Sequence, residues 1–519
     1  MKKKNLYIWS ASTILLVMAT TYSCKKSDLD TTNVNAVTTD QYYKNATELT
    51  KGVNAVYKAV QSINLVNREW FFIHDLRSDE VSPGGSQLEV PRAQMLAGTF
   101  DPTNSVLNSV WNGWYTVIFR ANVVLDNAGK VTDDVAIRDR RVGEAKFLRA
   151  WAYFDLVSQW GAVPLHTTTI KSPNEFKPRA AVADVYAQII KDLQDAAAVL
   201  PGKSGTDKGR ATNAAANALL GRVLMQNGDY GGAKAALLKI PTSGADGYSL
   251  TARFLDNFEE ETEFNSESIF EMVYVDKGDN GFNWGGDSPT EAQSTVRNQE
   301  YNPVAWRNLI PSNKLLNEFE NTATGAAKTD PRYKFSFYET GDAYNNGASV
   351  LLASDQNGES STVNGVTKKV GFRKFMIIYK EGLPAASFHP GGNNQRILRY
   401  AEVLINLAEC ENELGNIGAA ASYLNMVRAR ASVAMPPYPT AQFRVASKAD
   451  VTKAIMHEKM VEMADEEVRN VDIVRWRKKG YFTTDPLSYF KANRDELLPI
   501  PTAELDNNPE VNGHQNPGY

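Results

Sequence analysis

Two stretches of this chain carry the same helix–turn–helix pattern, and that repetition restricts the fold more than any other feature. Residues 399–431 read RYAEVLINLAECENELGNIGAAASYLNMVRARA. Tyr400, Val403, Leu404, Leu407, Ala408 and Leu414 recur at helical spacing, while Glu402, Asn406, Glu409 and Glu413 form a polar stripe beside them. The pattern predicts an amphipathic helix with one buried face. Gly415 supplies the stop, because glycine enters the left-handed conformation without steric cost. A second helix follows, with Ala420, Tyr423, Leu424 and Val427 turned inward. Residues 217–240, NALLGRVLMQNGDYGGAKAALLKI, align with it on the turn: Gly228 with Gly415, Gly221 with Ala408, Ala233 with Ala420 and Leu237 with Leu424. Small residues let two helices approach, and leucine fills the gap between them.

A helix pair of this kind resembles the tetratricopeptide unit. One unit cannot bury its apolar face alone, so several are expected, stacked into a scaffold. Further helical periods run over 41–63, 105–128, 138–159, 181–200, 450–465 and 468–479. The stretch 138–159 has little polar surface and belongs in the middle of the bundle. Between 248 and 392 the helical period fades. Short β-prone runs appear at 269–275 and 333–338, separated by segments rich in Gly, Asn, Asp and Ser. Long irregular segments in a compact protein are usually functional. The expected fold is therefore mostly α: a tetratricopeptide-like helical scaffold over 41–247 and 393–519, with a loop-rich, ligand-binding region containing short strands over 248–392. The Pro- and Asn-rich tail is expected to wrap the bundle.

The first residues have a separate role. Lys2, Lys3 and Lys4 precede a mostly apolar run over 6–18, and small and hydroxyl residues lead to Cys24. This is the pattern of a secretory signal over 1–23 cut before a cysteine that receives lipid. Thr21 stands where such signals usually carry leucine. The apolar run is short for a spanning helix. Residues 24–40 are polar and read as a flexible tether. The only other cysteine, Cys410, is left without a partner and reads as a packing residue.

A net charge of −4 gives no electrostatic case for nucleic acid. A glycan site needs rings for the C–H faces of sugars and polar side chains for their hydroxyls. That mix occurs at Phe282-Asn283-Trp284 and from Tyr301 to Trp306, and Asp79 and Glu80 lie in a loop beside the aromatic run 70–73. The candidate ligand contacts are thus Asp79, Glu80, Phe282, Trp284, Tyr301 and Trp306, each of which could equally be core or a solvated turn. Catalytic patterns are missing. His457-Glu458 has no second His at helical spacing, and no G-x-S-x-G occurs. Gly202-Lys203-Ser204 lacks the earlier glycine of a phosphate-binding loop, and Gly278 occupies a ligand position in the calcium-loop-like run 276–287. No cofactor, metal or enzymatic activity is expected. Paired carboxylates for glycoside cleavage are a matter of three dimensions. A surface glycosidase, or a helical-repeat assembly protein without a small ligand, are therefore the alternative readings.

Five blocks carry a resemblance to a known family: EAKFLRAWAYFDLVSQWGAVPL, ILRYAEVLINLAECENELGN, LNMVRARA, IMHEKMVEMADEEVRNVDIVRWRKKG and LLPIPTAELDNNPEVNGHQNPGY. Together, and in this order, they resemble the SusD/RagB family of surface-exposed outer-membrane lipoproteins. The resemblance implies four tetratricopeptide-like units with an irregular ligand-binding region packed on them. It implies capture of oligosaccharides, or sometimes peptides, and delivery to a SusC-like TonB-dependent β-barrel on which the lipoprotein sits as a lid. The segment 78–80 falls where family members carry ligand-contacting loops. Between Gly84 and Met95 there is no extra tryptophan, so the family's aromatic arc does not transfer residue by residue.

Overall fold

The computed structural model describes residues 42–85, 88–276, 293–322, 324–325, 327–382 and 389–519. The chain divides into a unit Met1–Lys44 and a unit Asn45–Tyr519. The architecture is that of the second unit. Cys24 and the proposed signal and tether lie outside the described residues, as do Phe282, Trp284 and most of the calcium-loop-like run.

Among the described residues eight α-helices come first: α1 (Ala46–Val60), α2 (Glu69–Leu76), α3 (Val90–Ala97), α4 (Ser105–Asn127), α5 (Val135–Trp160), α6 (Val182–Val199), α7 (Asn213–Gln226) and α8 (Tyr230–Leu237). Polar caps start several of them. Asn45, Asn104, Asp134, Thr212 and Asp229 each accept a hydrogen bond from a first-turn amide. Packing is mainly between successive helices: α4 on α5, α5 on α6, α6 on α7 and α7 on α8. Helix α9 (Arg297–Tyr301) lies within the irregular region, and after that region come α10 (Tyr400–Glu413), α11 (Ile417–Arg428), α12 (Lys448–Met463), α13 (Arg469–Lys478) and α14 (Thr502–Asn507). Helix α8 packs on α10, so the two hairpins, far apart in sequence, are neighbours in one stack.

The turns behave as their glycines require. Gly228 and Gly415 both have φ of +88°. In the first hairpin a Cβ at Gly221 would lie 2.4 Å from Leu237 Cδ2, which is why the helix carries glycine there.

Helix α10 departs from the expected amphipathic pattern. Glu402, Asn406 and Glu409 are as buried as the leucines, whereas Leu414 is 47% exposed. The polar stripe is inside because each member has a partner. Arg222 donates to Glu402, Lys459 to Asn406, and Arg475 grips Glu409 with two bonds of 2.7 Å. The run 333–338 also differs from expectation. Its first part is a helical turn, Arg332–Ser336, and only Phe337–Glu339 is strand.

Six strands frame the irregular region: β1 (Val81–Pro83), β2 (Ser268–Met272), β3 (Leu309–Pro311), β4 (Phe337–Glu339), β5 (Val370–Phe372) and β6 (Gln395–Arg399). They pair antiparallel as β1–β3, β4–β5 and β2–β6. The fully buried β2–β6 ribbon joins the beginning of the region to its end and seats both on the helical stack.

Beneath this ribbon lies an ionic core. Arg399 donates to Glu267, Glu462 and Glu466. Arg430 donates to Glu267 and Glu462, and Arg332 to Asp330, Glu458 and Glu462. Charges survive at such depth only when paired and hydrogen-bonded. The acidic run 465–467 does lie between two helices, α12 and α13, but it is buried and committed to Arg297, Lys374 and Arg399. The tail wraps back as expected: Asn516 donates to the carbonyls of Trp160 and Leu498 at 2.9 and 2.7 Å. No helix among the described residues is long and apolar enough to cross a membrane.

Candidate functional site

The irregular region holds a polar cleft of about 760 Å³, lined by Arg253, Glu259, Glu261, Asn346, Arg373, Tyr379, Lys380 and Glu381. Its walls are short 3-10 turns, Phe254–Asn257, Glu260–Thr262 and Ile377–Tyr379, opposite the turn Asn345–Gly347. Asn345 and Asn346 take φ of +52° and +53°. Asn tolerates this left-handed region better than most residues, so the Asn-Asn-Gly sequence makes a tight rim.

The groups in the cleft hold one another. Tyr379 donates its hydroxyl to Glu261 Oε2 at 2.5 Å, and Lys380 donates to Glu261 Oε1 at 3.0 Å and to Glu260 at 2.5 Å. Arg253 donates to Glu259 at 2.6 Å. Burial pushes the Glu261 carboxyl up, but the Tyr379 and Lys380 bonds outweigh it and hold it below the ordinary carboxylate range. Burial and the Glu261 charge raise the Tyr379 hydroxyl. Arg373 lies over the Tyr338 ring, 4.8 Å from its centroid. The cleft thus offers fixed cationic donors, ionised acceptors and a phenol ring. That set can hydrogen-bond the hydroxyls of a polyol and pack one of its apolar faces.

Sequence reasoning placed the ligand in this region but named none of these residues. The wall residues come from positions 253–261, 346 and 373–381, and no local spacing connects them. The available signal was the Asn-Asn-Gly turn.

The named candidates have other places. Tyr301 is fully buried; its hydroxyl donates to Asp75 Oδ2 at 2.8 Å and its ring meets Phe71, Phe72 and Phe372. Asp79 is buried against Arg469 and Lys314. Burial alone would raise its carboxyl, yet the Arg469 and Lys314 charges bring it down to about 2. Glu80 is buried beside the Asp465 amide, and burial pushes its carboxyl well up. All three side chains are committed to the interior: Tyr301, on α9, by the rings around it, and Asp79 and Glu80 because their loop runs into strand β1 against the start of α13.

Trp306 differs from them in being half-buried. It is held rigidly. Its amide donates to Gln299 O at 3.1 Å, and the next residue, Arg307, has φ of +51°. The terminal nitrogens of the buried Arg307 guanidinium donate to backbone carbonyls, those of Glu359 and Val370 at 2.8 Å among them, while its Nε has no hydrogen-bond partner among the described residues. Burial, only partly countered by the Glu359 charge, lowers it to about 10. Trp306 does not line the cleft; helix α9, which its amide joins, reaches the segments behind it, with Asn298 Oδ1 accepting the Ile377 amide at 3.0 Å and Gln299 Oε1 accepting that of His389 at 2.7 Å.

Fold and site together define a tetratricopeptide-like helical scaffold carrying an irregular, polar-clefted insert. Residues 266–519 match the model of the SusD family, and residues 74–225 match a model described as "Starch-binding associating with outer membrane". The chain belongs to the SusD/RagB family. A SusD-like protein P2 of Formosa agariphila is 26% identical over 533 residues, covering 98% of this chain and 99% of that protein. Among solved structures, a laminarin-binding SusD-like protein is 27% identical with a TM-score of 0.71, covering 92% of this chain and all of that one (100%). A SusD-like protein of Bacteroides fragilis, 22% identical, covers 94% of this chain and 100% of its own with a TM-score of 0.75, and shares the fold.

Proposed function

We propose that this protein is a surface-exposed outer-membrane lipoprotein, anchored through Cys24, that captures an oligosaccharide and delivers it to a SusC-like TonB-dependent transporter. The observation that carries this reading is the full-length likeness to a laminarin-binding SusD-like protein. The polar cleft of the irregular region supports it, with Tyr379, Arg253, Arg373 and Asn346 as the contacts and Trp306 flanking through α9. In this reading residues 248–392 face the ligand and the helices on either side form the platform. Phe282 and Trp284 belong to the same region.

Binding without cleavage is the favoured chemistry. Glycoside hydrolysis needs one carboxylic acid that stays protonated to donate its proton. Burial raises one carboxyl of the cleft, Glu381, but the other two that line it are engaged: Glu261 is held low by Tyr379 and Lys380, and Glu259 is ion-paired to Arg253.

The test is calorimetric titration of the protein with a panel of oligosaccharides, neutral and acidic, alongside purification from membranes. At least one glycan binds, Trp306→Ala and Tyr379→Ala each weaken it about tenfold without a change in Tm, and a large β-barrel co-purifies. Release of reducing ends from the panel would replace this reading with a surface glycosidase. Absence of any glycan binding, with the barrel retained, would leave the assembly or peptide reading.

A further inference from the structure

The segment GKSGTDKGR, residues 202–210, has no part in the cleft or in the helical stack, yet it walls a separate pocket of about 250 Å³. The opposite wall comes from Tyr248, Phe264 and the strand β2 residues Ser268 to Glu271. Lys203 lies over the Tyr248 ring at 5.0 Å, and Lys208 over the Phe264 ring at 5.4 Å. Among the described residues, neither ammonium is ion-paired; Lys203 donates to the backbone carbonyl of Asn265 at 2.5 Å. Arg210, also in the wall, is committed to Glu144 and Asp207.

The acidic groups in the wall offset these charges only in part, and Asp207 is paired with Arg210. Glu271 is buried, and its oxygens accept from the Phe264 amide at 2.9 Å and from Asn394 at 2.8 Å, with Arg396 Nε 3.5 Å away. Phe264 itself is held at φ of +57°, a costly conformation for a non-glycine residue and one that recurs at ligand clamps. Gly209 has φ of +84°, and a Cβ there would lie 2.4 Å from Val273 Cγ2, so the loop passes as close to the body as a backbone can. The pocket is therefore built: two cations with no direct ion pair among the described residues lie over two rings, one of them on a strained backbone. Burial and the neighbouring Lys208 lower the Lys203 ammonium against the opposing Glu271 charge, and an incoming anion would offset the remaining penalty.

We infer that this pocket binds a single sugar-sized ring bearing one anionic group, a carboxylate or a sulfate ester, with the anion between Lys203 and Lys208 and the ring against Tyr248 and Phe264. The volume lies below the about 300–1,000 Å³ of sites for drug-sized ligands, so it takes one ring and not a chain. This inference rests on the glycan reading and deepens it: the captured glycan carries acidic units.

The experiment measures binding of galacturonate, galactose 6-sulfate and galactose to the full-length protein in detergent by saturation-transfer NMR with competition. The expected result is at least about a tenfold preference for one acidic sugar over galactose, lost in Lys208→Ala and reduced as salt rises. The acidic sugar preferred identifies which of the two anions the pocket takes. Lys208 is exposed, so its variant folds; Lys203→Met is the second variant. Equal binding of all three sugars, or a preference that survives both variants, overturns the inference. If none of the three binds while a neutral oligosaccharide still titrates and Tyr379→Ala weakens it, the pocket inference fails and glycan capture at the cleft stands. If no glycan of either kind binds, the glycan reading fails and takes the pocket with it.

Discussion

Arg469 clamps Asp79 with two parallel hydrogen bonds, Nε to Oδ1 at 2.7 Å and Nη2 to Oδ2 at 2.9 Å, across 390 positions of sequence. The pair ties the loop after α2 to the first turn of α13. It makes Asp79 a structural residue, in a place where the sequence alone suggested a ligand contact.

Asp79→Asn keeps the shape and removes the charge, leaving the buried Arg469 without its carboxylate. Breaking a buried pair in this way costs about 3–5 kcal/mol. Urea denaturation should show that loss, while glycan affinity stays within a factor of two of wild type. Unchanged stability with lost affinity would return Asp79 to the binding site.

A second cluster predicts a pH dependence of the opposite kind. Asp75, Asp465 and Glu467 bring carboxylate oxygens within 4.8 Å of one another around Arg297. One guanidinium does not balance three buried anions. Burial, only partly countered by Arg297, pushes Asp465 up to about 7 from an ordinary 3.8. A group whose folded value is raised adds stability that is complete below the unfolded value and lost as pH rises through the folded one. Thermal stability should therefore fall between about pH 4 and pH 7, and Asp465→Asn should flatten that slope. Parallel melting curves for the two proteins across this range would disprove the assignment.

Asp79 acts in the opposite sense at lower pH. Arg469 and Lys314 bring it to about 2 despite burial, from 3.8, so its contribution is present above pH 4 and disappears as pH falls towards 2. Acid unfolding of Asp79→Asn should lose this component, which a titration of the unfolding midpoint below pH 4 would detect.

Gly221 faces Leu237 with no space for a methyl group. Alanine would favour the helix by about 1 kcal/mol, but overpacking a buried leucine costs about 1–3 kcal/mol. Gly221→Ala should be net destabilising, and Leu237→Ala should make the same substitution neutral or favourable. A double-mutant cycle measures this coupling, and simple additivity would show that the helices do not touch there.

Cys24 carries the localisation part of the proposal. Cys24→Ser should move the protein from the membrane fraction to the soluble fraction, and a fatty-acid label should mark wild type alone. An unlabelled wild type would remove the lipid anchor from the model of function.

Much of the scaffold is readable from local pattern. The α4, α5 and α6 stretches follow from apolar spacing, and the stops at Gly228 and Gly415 follow from the left-handed turns that only glycine enters freely. The cleft was not readable residue by residue. Arg253, Asn346 and Tyr379 meet there from separate turns, and no periodicity relates them. Tyr301 shows the reverse error: its neighbours looked like a sugar platform, yet its ring is enclosed by Phe71, Phe72 and Phe372.

The amino-acid order alone determined where the long scaffold helices lie, to within a few residues, because a repeat of 3.6 residues and a capping residue act within a few positions of each other; it did not mark the short helices α2, α3 and α9. It also showed that the long helical period breaks over residues 248–392, though not that short helices such as Arg297–Tyr301, Asn313–Glu318 and Arg332–Ser336 form inside that region. Only the folded chain decided which charges go inside. Glu402, Glu409, Asp79 and Glu467 read as surface residues by type, and each is buried because a cation tens or hundreds of positions away arrives beside it. Desolvation of a carboxylate is prohibitive until that partner is present, so its burial is settled by tertiary contact and not by local sequence.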